Sequence, residues 1–168
     1  MQRLTQVTVV LAVATGLLGC AAEAWRPQTC EEVAAAVEIR FVGIESLELE
    51  EFGRTPVKFG RFVVTNDSTR SVDFDIWSEP PIAGVYPDSI WPEVLVDGEW
   101  KWRGDLSHYD APSKAIHIPS GDTWVFHAPV DGLADPQYTD VGKPHRLVLT
   151  DTRRCRMVTQ SFVLPNDV

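Results

Sequence analysis

Four residues in the second half of the chain are of the kinds that hold a transition metal: His108, Asp110, His117 and His127. Imidazole and carboxylate both bind zinc and its neighbours. Their spacing matches neither a paired-cysteine site nor the HExxH pattern, and His108 and Asp110 fall in a predicted loop. Scattered surface histidines are the simpler expectation, so no metal or other cofactor is assigned. Asp131, Asp135 and Asp140 offer oxygens suited to calcium, but not at helix-loop-helix spacing. An exposed acidic loop is expected there. For hydrolysis, the chain lacks a GxSxG elbow. Asp73 and Asp75 share one face of a predicted strand, but its solvent face, where nothing raises a carboxyl pKa for acid catalysis. No glycine-rich phosphate loop is present. A metal-dependent or hydrolytic enzyme is therefore the alternative reading and not the first.

Aromatic residues offer a different chemistry. Trp77, Trp91, Trp100 and Trp102 lie close together in sequence, and such rings stack on sugars or peptides or anchor protein interfaces. Trp100 and Trp102 are expected to fill the core. Trp77 shares the outward phase of its strand with Asp73 and Asp75. With Tyr86 and Trp91 it forms the candidate binding surface, stiffened by Pro80-Pro81 and the segment from Pro87 to Pro92. The neighbours Asp73, Asp75, Glu79 and Asp88 favour a basic or neutral partner over an anionic one. Alternatively, the same rings pack under the loop and hold it down. A third reading is a protease inhibitor that displays segment 79–92 or 105–121.

The N-terminus is more specific. A single positive charge, Arg3, precedes an apolar run from Val7 to Leu18, and the run closes on Leu17-Leu18-Gly19-Cys20. These are the parts of an export signal. The run is too short to span a bilayer, which takes roughly 20 apolar residues. Leu17 to Cys20 resembles the lipobox of bacterial lipoproteins. The resemblance covers about the first twenty residues. It implies cleavage before Cys20, a lipid such as diacylglycerol on its sulfur, and further acylation of the new amino group. One fatty chain holds a protein only reversibly, whereas two or three hold it permanently. In that family an aspartate after the cysteine often retains the protein at the inner membrane. Ala21 stands here, which implies an outer-membrane anchor facing the periplasm.

That division gives a signal peptide over 1–19, a lipidated tether over 20–28 and one domain over 29–168. Removing 19 of the 168 residues takes away Arg3 and no acid, so the formal charge moves from −9 to −10. Such a field argues against nucleic acid and against anionic lipid as general partners. The one dense basic run, Arg153-Arg154-Cys155-Arg156, is expected at a solvated hairpin end. The expected partners are the membrane through Cys20 and an envelope protein or small ligand. With Cys20 lipidated, Cys30 and Cys155 remain, and an even pair in an exported chain suggests a disulfide.

The elements that must position these groups are mostly strands. Thr29 to Glu38 predicts one short helix, with Thr29 and Glu32 as a capping box. Strand patterns follow from Val37, over Val57–Thr65, and around Val72, Phe74 and Ile76, which point inward. Between Phe59 and Phe62 the inward phase slips, which predicts a bulge near Gly60-Arg61. Residues 80–92 are expected as an ordered loop. Asp97-Gly98 is a preferred two-residue hairpin turn that pairs Val96 with Glu99 and Leu95 with Trp100. Ala115–Ile118, Thr123–Val130, His145–Thr150 and Cys155–Leu164 complete about eight strands. The pattern predicts an all-β chain, an antiparallel β-sandwich of immunoglobulin-like architecture with one short N-terminal helix.

Overall fold

The computed structural model describes residues 27–48, 56–79, 82–85, 87–104, 114–129 and 142–165. The signal and lipobox, Tyr86, His108, Asp110, Asp131, Asp135 and Asp140 lie outside them. Helix α1, Cys30–Ala36, comes first. Thr29 Oγ1 accepts from the Glu32 N–H at 3.2 Å, and Glu32 Oε2 accepts from the Thr29 N–H at 2.9 Å. This capping box satisfies two backbone donors that a helix start otherwise leaves open. The helix is two residues shorter than expected, because Val37 is already extended and begins the first strand.

Eleven strands are described: β1 (Val37–Glu48), β2 (Pro56–Asn66), β3 (Val72–Glu79), β4 (Ile82–Val85), β5 (Ile90–Val96), β6 (Glu99–Trp102), β7 (Lys114–Ile118), β8 (Thr123–Pro129), β9 (Pro144–Thr150), β10 (Arg156–Val158) and β11 (Phe162–Val163). They form three antiparallel sheets, ordered β1-β2-β8, β4-β3-β7 and β10-β9-β5-β6, with β11 also on β9. One buried cluster draws on all three: Ile39, Phe62 and Phe126 from the first, Phe74 and Ile118 from the second, Leu147 and Leu149 from the third. The fold is all-β and sandwich-like.

Several boundaries differ from expectation for physical reasons. Residues 80–92 are not one displayed loop, since they contain β4, a 3-10 turn at Pro87–Ser89 and the start of β5. The bulge lies in β1 and not in β2. Val42 is the extra residue there, because Phe41 pairs with Phe62 while Gly43 pairs with Arg61. Strand β2 runs unbroken against β8. The phase slip is resolved instead by burial on both faces. Phe62 enters the main core, and Phe59 enters a second cluster with Trp77, flanked by Leu47 and Val57. The last predicted strand is split into β10 and β11. Between them Thr159 Oγ1 accepts the Leu147 N–H at 2.9 Å, and the Gln160 N–H turns to the Ile39 carbonyl at 3.0 Å. The segment thus joins β9 to β1 and ties one sheet to another.

A polar network closes one end of the sandwich. Asn66 is fully buried. Its amide nitrogen donates to the carbonyls of Arg70, Ile118 and Pro119 at 2.9, 2.9 and 3.1 Å. Its oxygen accepts from the N–H and hydroxyl of Ser68. Arg70 in turn donates to Asp151 Oδ2 at 3.0 Å. Asp151 Oδ1 accepts the Arg153 and Cys155 N–H groups at 2.9 and 2.8 Å, which shapes the turn before β10. Cys155 is disulfide-bonded to Cys30, with Cα atoms 4.9 Å apart.

Two expectations follow. Reducing the disulfide, or replacing both cysteines with alanine, opens a loop with a sequence separation of 125 residues. Loop-closure entropy puts the loss at about 5 kcal/mol, with any native strain subtracting from it. Urea denaturation with and without reductant measures it. Asn66→Ala strands partners on two segments, the approach to β3 and the exit of β7, and a loss of about 3 kcal/mol is expected in the same assay.

Candidate functional site

The register of the third sheet decides which side chains meet on its outer face. Ile90 and Val94 point into the core and are 2% and 0% exposed. Trp91, Glu93 and Leu95 therefore point outward, because side chains alternate along a strand. Pairing carries the same face across the sheet. Glu93 lies opposite Trp102 on β6 and Arg146 on β9; Leu95 lies opposite Trp100; Trp91 lies opposite Val148. Val158 on β10 lies opposite Val148, and Arg156 opposite Thr150. Val163 on β11 lies opposite Pro144.

The turn at Asp97-Gly98 sets this register. Both residues have positive φ, 53° and 83°, as the two-residue hairpin turn requires. Pairing of Val96 with Glu99 and of Leu95 with Trp100 is as expected. The direction of the face is not. Trp100 and Trp102 were expected in the core, yet Trp102 is 59% exposed and Trp100 is partly exposed. The core takes Val94 instead.

The centre of the face is charged. Glu93 accepts from Arg146 Nε at 2.7 Å and from Arg156 Nη2 at 3.2 Å. Its side chain is 12% exposed, against 23% for Arg146 and 54% for Arg156. The Arg146 guanidinium carbon also sits 4.2 Å from the centroid of the Trp100 ring, within cation–π range. Carboxylate and ring thus hold the Arg146 head from two sides. Arg156 keeps more than half its side chain in solvent. Trp102 flanks the charged group at the β6 edge, while Val158 and Val163 flank it at the other, 36% and 51% exposed. The sheet face offers aromatic stacking, apolar contact and cationic hydrogen-bond donors within a few strands' width.

Of the predicted aromatic patch, Trp77 and Trp91 are described, and they are not brought together. Trp77 does lie on the face of β3 opposite Val72, Phe74 and Ile76, but it is 2% exposed. It packs on Phe59, and its indole lies so close over Gly84 that a Cβ there would collide with the ring. The expectation of an exposed Trp77 is corrected: Phe59 of β2 and Gly84 of β4 lie against it. Trp91 is half-buried and belongs to the outer face of the third sheet, a different sheet from Trp77.

The two described histidine candidates, His117 and His127, lie in different sheets. His117 on β7 pairs with Asp73 through Nδ1 and is mostly exposed, at 65% of its side chain. His127 on β8, in another sheet, has Nε2 3.2 Å from Glu45. Among the described residues no three His, Cys, Asp or Glu side chains form a group able to hold a metal. An open groove of about 460 Å³ lies beside the end of α1, lined by Val37, Glu38, Asp67, Val158 and Gln160. Within it Gln160 Nε2 donates to Glu38 Oε1 at 2.8 Å.

No protein-family model matches this sequence, and neither does any curated protein. Among the described residues no helix is long and apolar enough to cross a membrane.

The two tryptophans should separate cleanly in equilibrium unfolding. Trp77→Ala is expected to cost about 3–5 kcal/mol as a large side chain lost from a packed site. Trp102→Ala should change stability by no more than about 0.5 kcal/mol, as surface substitutions do. Gly84→Ala should cost about 1–3 kcal/mol, since the added methyl must displace the indole. Equal losses for Trp102→Ala and Trp77→Ala would make the outer face a structural one.

Proposed function

We propose that the chain is an envelope lipoprotein whose β-sandwich domain is a binding or assembly module, and that the outer face of the third sheet is its contact surface. In this reading residues 1–19 are the signal, Cys20 carries the lipid, 20–28 are the tether and 29–168 the domain. The lipobox resemblance at Leu17 to Cys20 supports the anchor, and the Cys30–Cys155 disulfide supports export to an oxidising compartment. Ala21 favours the outer membrane over retention at the inner one.

The observation that carries the binding reading is Trp102. It is a large aromatic, 59% exposed, beside the Arg146–Glu93–Arg156 group and on the same face as Trp91. Tryptophan and arginine are among the residue types that most often anchor protein interfaces. A well-formed turn and two strands hold it in place, so little conformational entropy is lost on contact.

Two measurements test the reading. Cys20→Ser in cells should abolish fatty-acid labelling and leave uncleaved precursor; continued palmitate incorporation would refute the anchor. A photo-crosslinking residue at position 102 should give discrete adducts in the envelope. The same residue at the exposed position 123 on β8 should not. Matching adducts from both positions would dismiss the face as a specific contact surface.

A further inference from the structure

The composition of the outer sheet face narrows the class of its ligand. The chain as a whole carries a formal charge of −9. Among the described residues of this face two arginines, Arg146 and Arg156, pair with the one carboxylate of Glu93. The turn that leads into β10, at the edge of this sheet, carries Arg153 and Arg154, both exposed. The acid in that turn, Asp151, is buried, and Arg70 pairs with it from inside. Among the described residues this edge of the sheet is cationic, on a protein of net negative charge. Arg146 comes from β9, outside the dense basic run seen in the sequence.

The apolar groups stand at the margins. Trp102 is on β6 at one edge of the sheet, and Val158 and Val163 are on β10 and β11 at the other. Three strand gaps separate β6 from β10, about 14 Å. Exposed Arg156 on the β10 edge, beside exposed Val158 and Val163 and across the sheet from Trp102, suits an anionic surface with an apolar layer beneath it. Tryptophan favours the headgroup region of a bilayer for the same reason, its ring being amphipathic.

Position on the chain supplies the second argument. Cys30 is bonded to Cys155, and Arg156 opens β10 as the next residue. The root of the tether is therefore at the edge of this sheet. From Cys20 to Cys30 the chain can reach at most about 35 Å. An anchor at Cys20 would keep that edge beside the bilayer at high effective concentration.

We propose that the outer face of the third sheet lies against the membrane that holds the Cys20 anchor, with anionic phospholipid headgroups as the ligands of Arg153, Arg154 and Arg156. The proposal rests on the lipoprotein reading above. The net negative charge of the molecule does not oppose it. At physiological salt the screening length is about 8 Å, so the charges nearest the lipid decide.

The test uses the full chain, purified in detergent and reconstituted into vesicles of phosphatidylcholine, alone or with an equal part of phosphatidylglycerol. Lipids brominated near the headgroup quench tryptophan at the interface. Quenching should be stronger with phosphatidylglycerol, should weaken with added salt and should fall in Trp102→Phe. The double variant Arg153→Gln, Arg156→Gln should lose more than about half of the phosphatidylglycerol-dependent part. Circular dichroism of each variant establishes that it is folded. A second arm carries Cys20→Ser and an N-terminal histidine tag bound to nickel-chelating lipid. Quenching in that arm, with no acyl label on the wild type in cells, would keep the face and remove the lipoprotein reading. Acylated protein that sits in vesicles without phosphatidylglycerol-dependent quenching would overturn the face alone. Dextran sulfate is the control for an anionic glycan. If it shifts the fluorescence in an Arg156-dependent way while vesicles do not, the membrane assignment is wrong.

Discussion

The carboxamide of Asn66 is the contact on which the arrangement of the sheets depends. It stands where β2 ends, and its two N–H groups serve three carbonyls, those of Arg70, Ile118 and Pro119. Those carbonyls belong to the approach to β3 and the exit of β7, which are elements of the neighbouring sheet. Its own backbone bonds Gly121 and Asp122 in the turn that enters β8. One fully buried side chain therefore fixes the relation of two sheets. Satisfied polar networks of this kind specify one packing among many that hydrophobic burial would tolerate. Arg70 extends the constraint to the third sheet through Asp151, and the Thr152 N–H bonds the Asp73 carbonyl at 2.9 Å.

Legibility in the sequence followed the range of the interactions concerned. The capping box at Thr29 and Glu32, the Asp97-Gly98 turn and the inward set Val72, Phe74 and Ile76 depend on neighbours, and all three are present as expected. The Cys30–Cys155 bond followed from pairing two cysteines, without geometry. Asn66 was visible only as turn chemistry. Its burial depends on partners more than fifty residues away, which no local pattern reports.

The tryptophans show how a correct register can still leave a face misassigned. Trp100 and Trp102 share a side with Leu95, as the turn dictates, but a two-strand hairpin does not say which side is the core. What the sequence did not show was that β5 begins at Ile90, inside the segment expected as a loop. With Ile90, Pro92 and Val94 in one phase and Trp91, Glu93 and Leu95 in the other, the charge at Glu93 marks the outer face. Pro92 concealed this, since proline argues against strand. It is tolerated where β6 has already ended and only its carbonyl is used, by the Arg103 N–H at 3.1 Å. Trp77 was misplaced for the converse reason. Its strand is amphipathic, but its outer face meets Phe59, the other residue out of phase. Two anomalies in separate strands explain each other once the strands are side by side.

The position of the disulfide also has a mechanical meaning. Cys30 is the first residue of α1, a helix of seven residues that would unravel readily if tension ran along it. Because Cys30 is bonded to Cys155, a pull on the preceding chain bypasses the helix and loads the start of β10 directly. There the load meets the paired backbone of β9 and the Asp151 turn, and from Arg70 it passes to the corner around Asn66. Force applied at the N-terminal side is thus shared at once with the C-terminal strands. The domain would resist as a whole body and would not peel open from its first element.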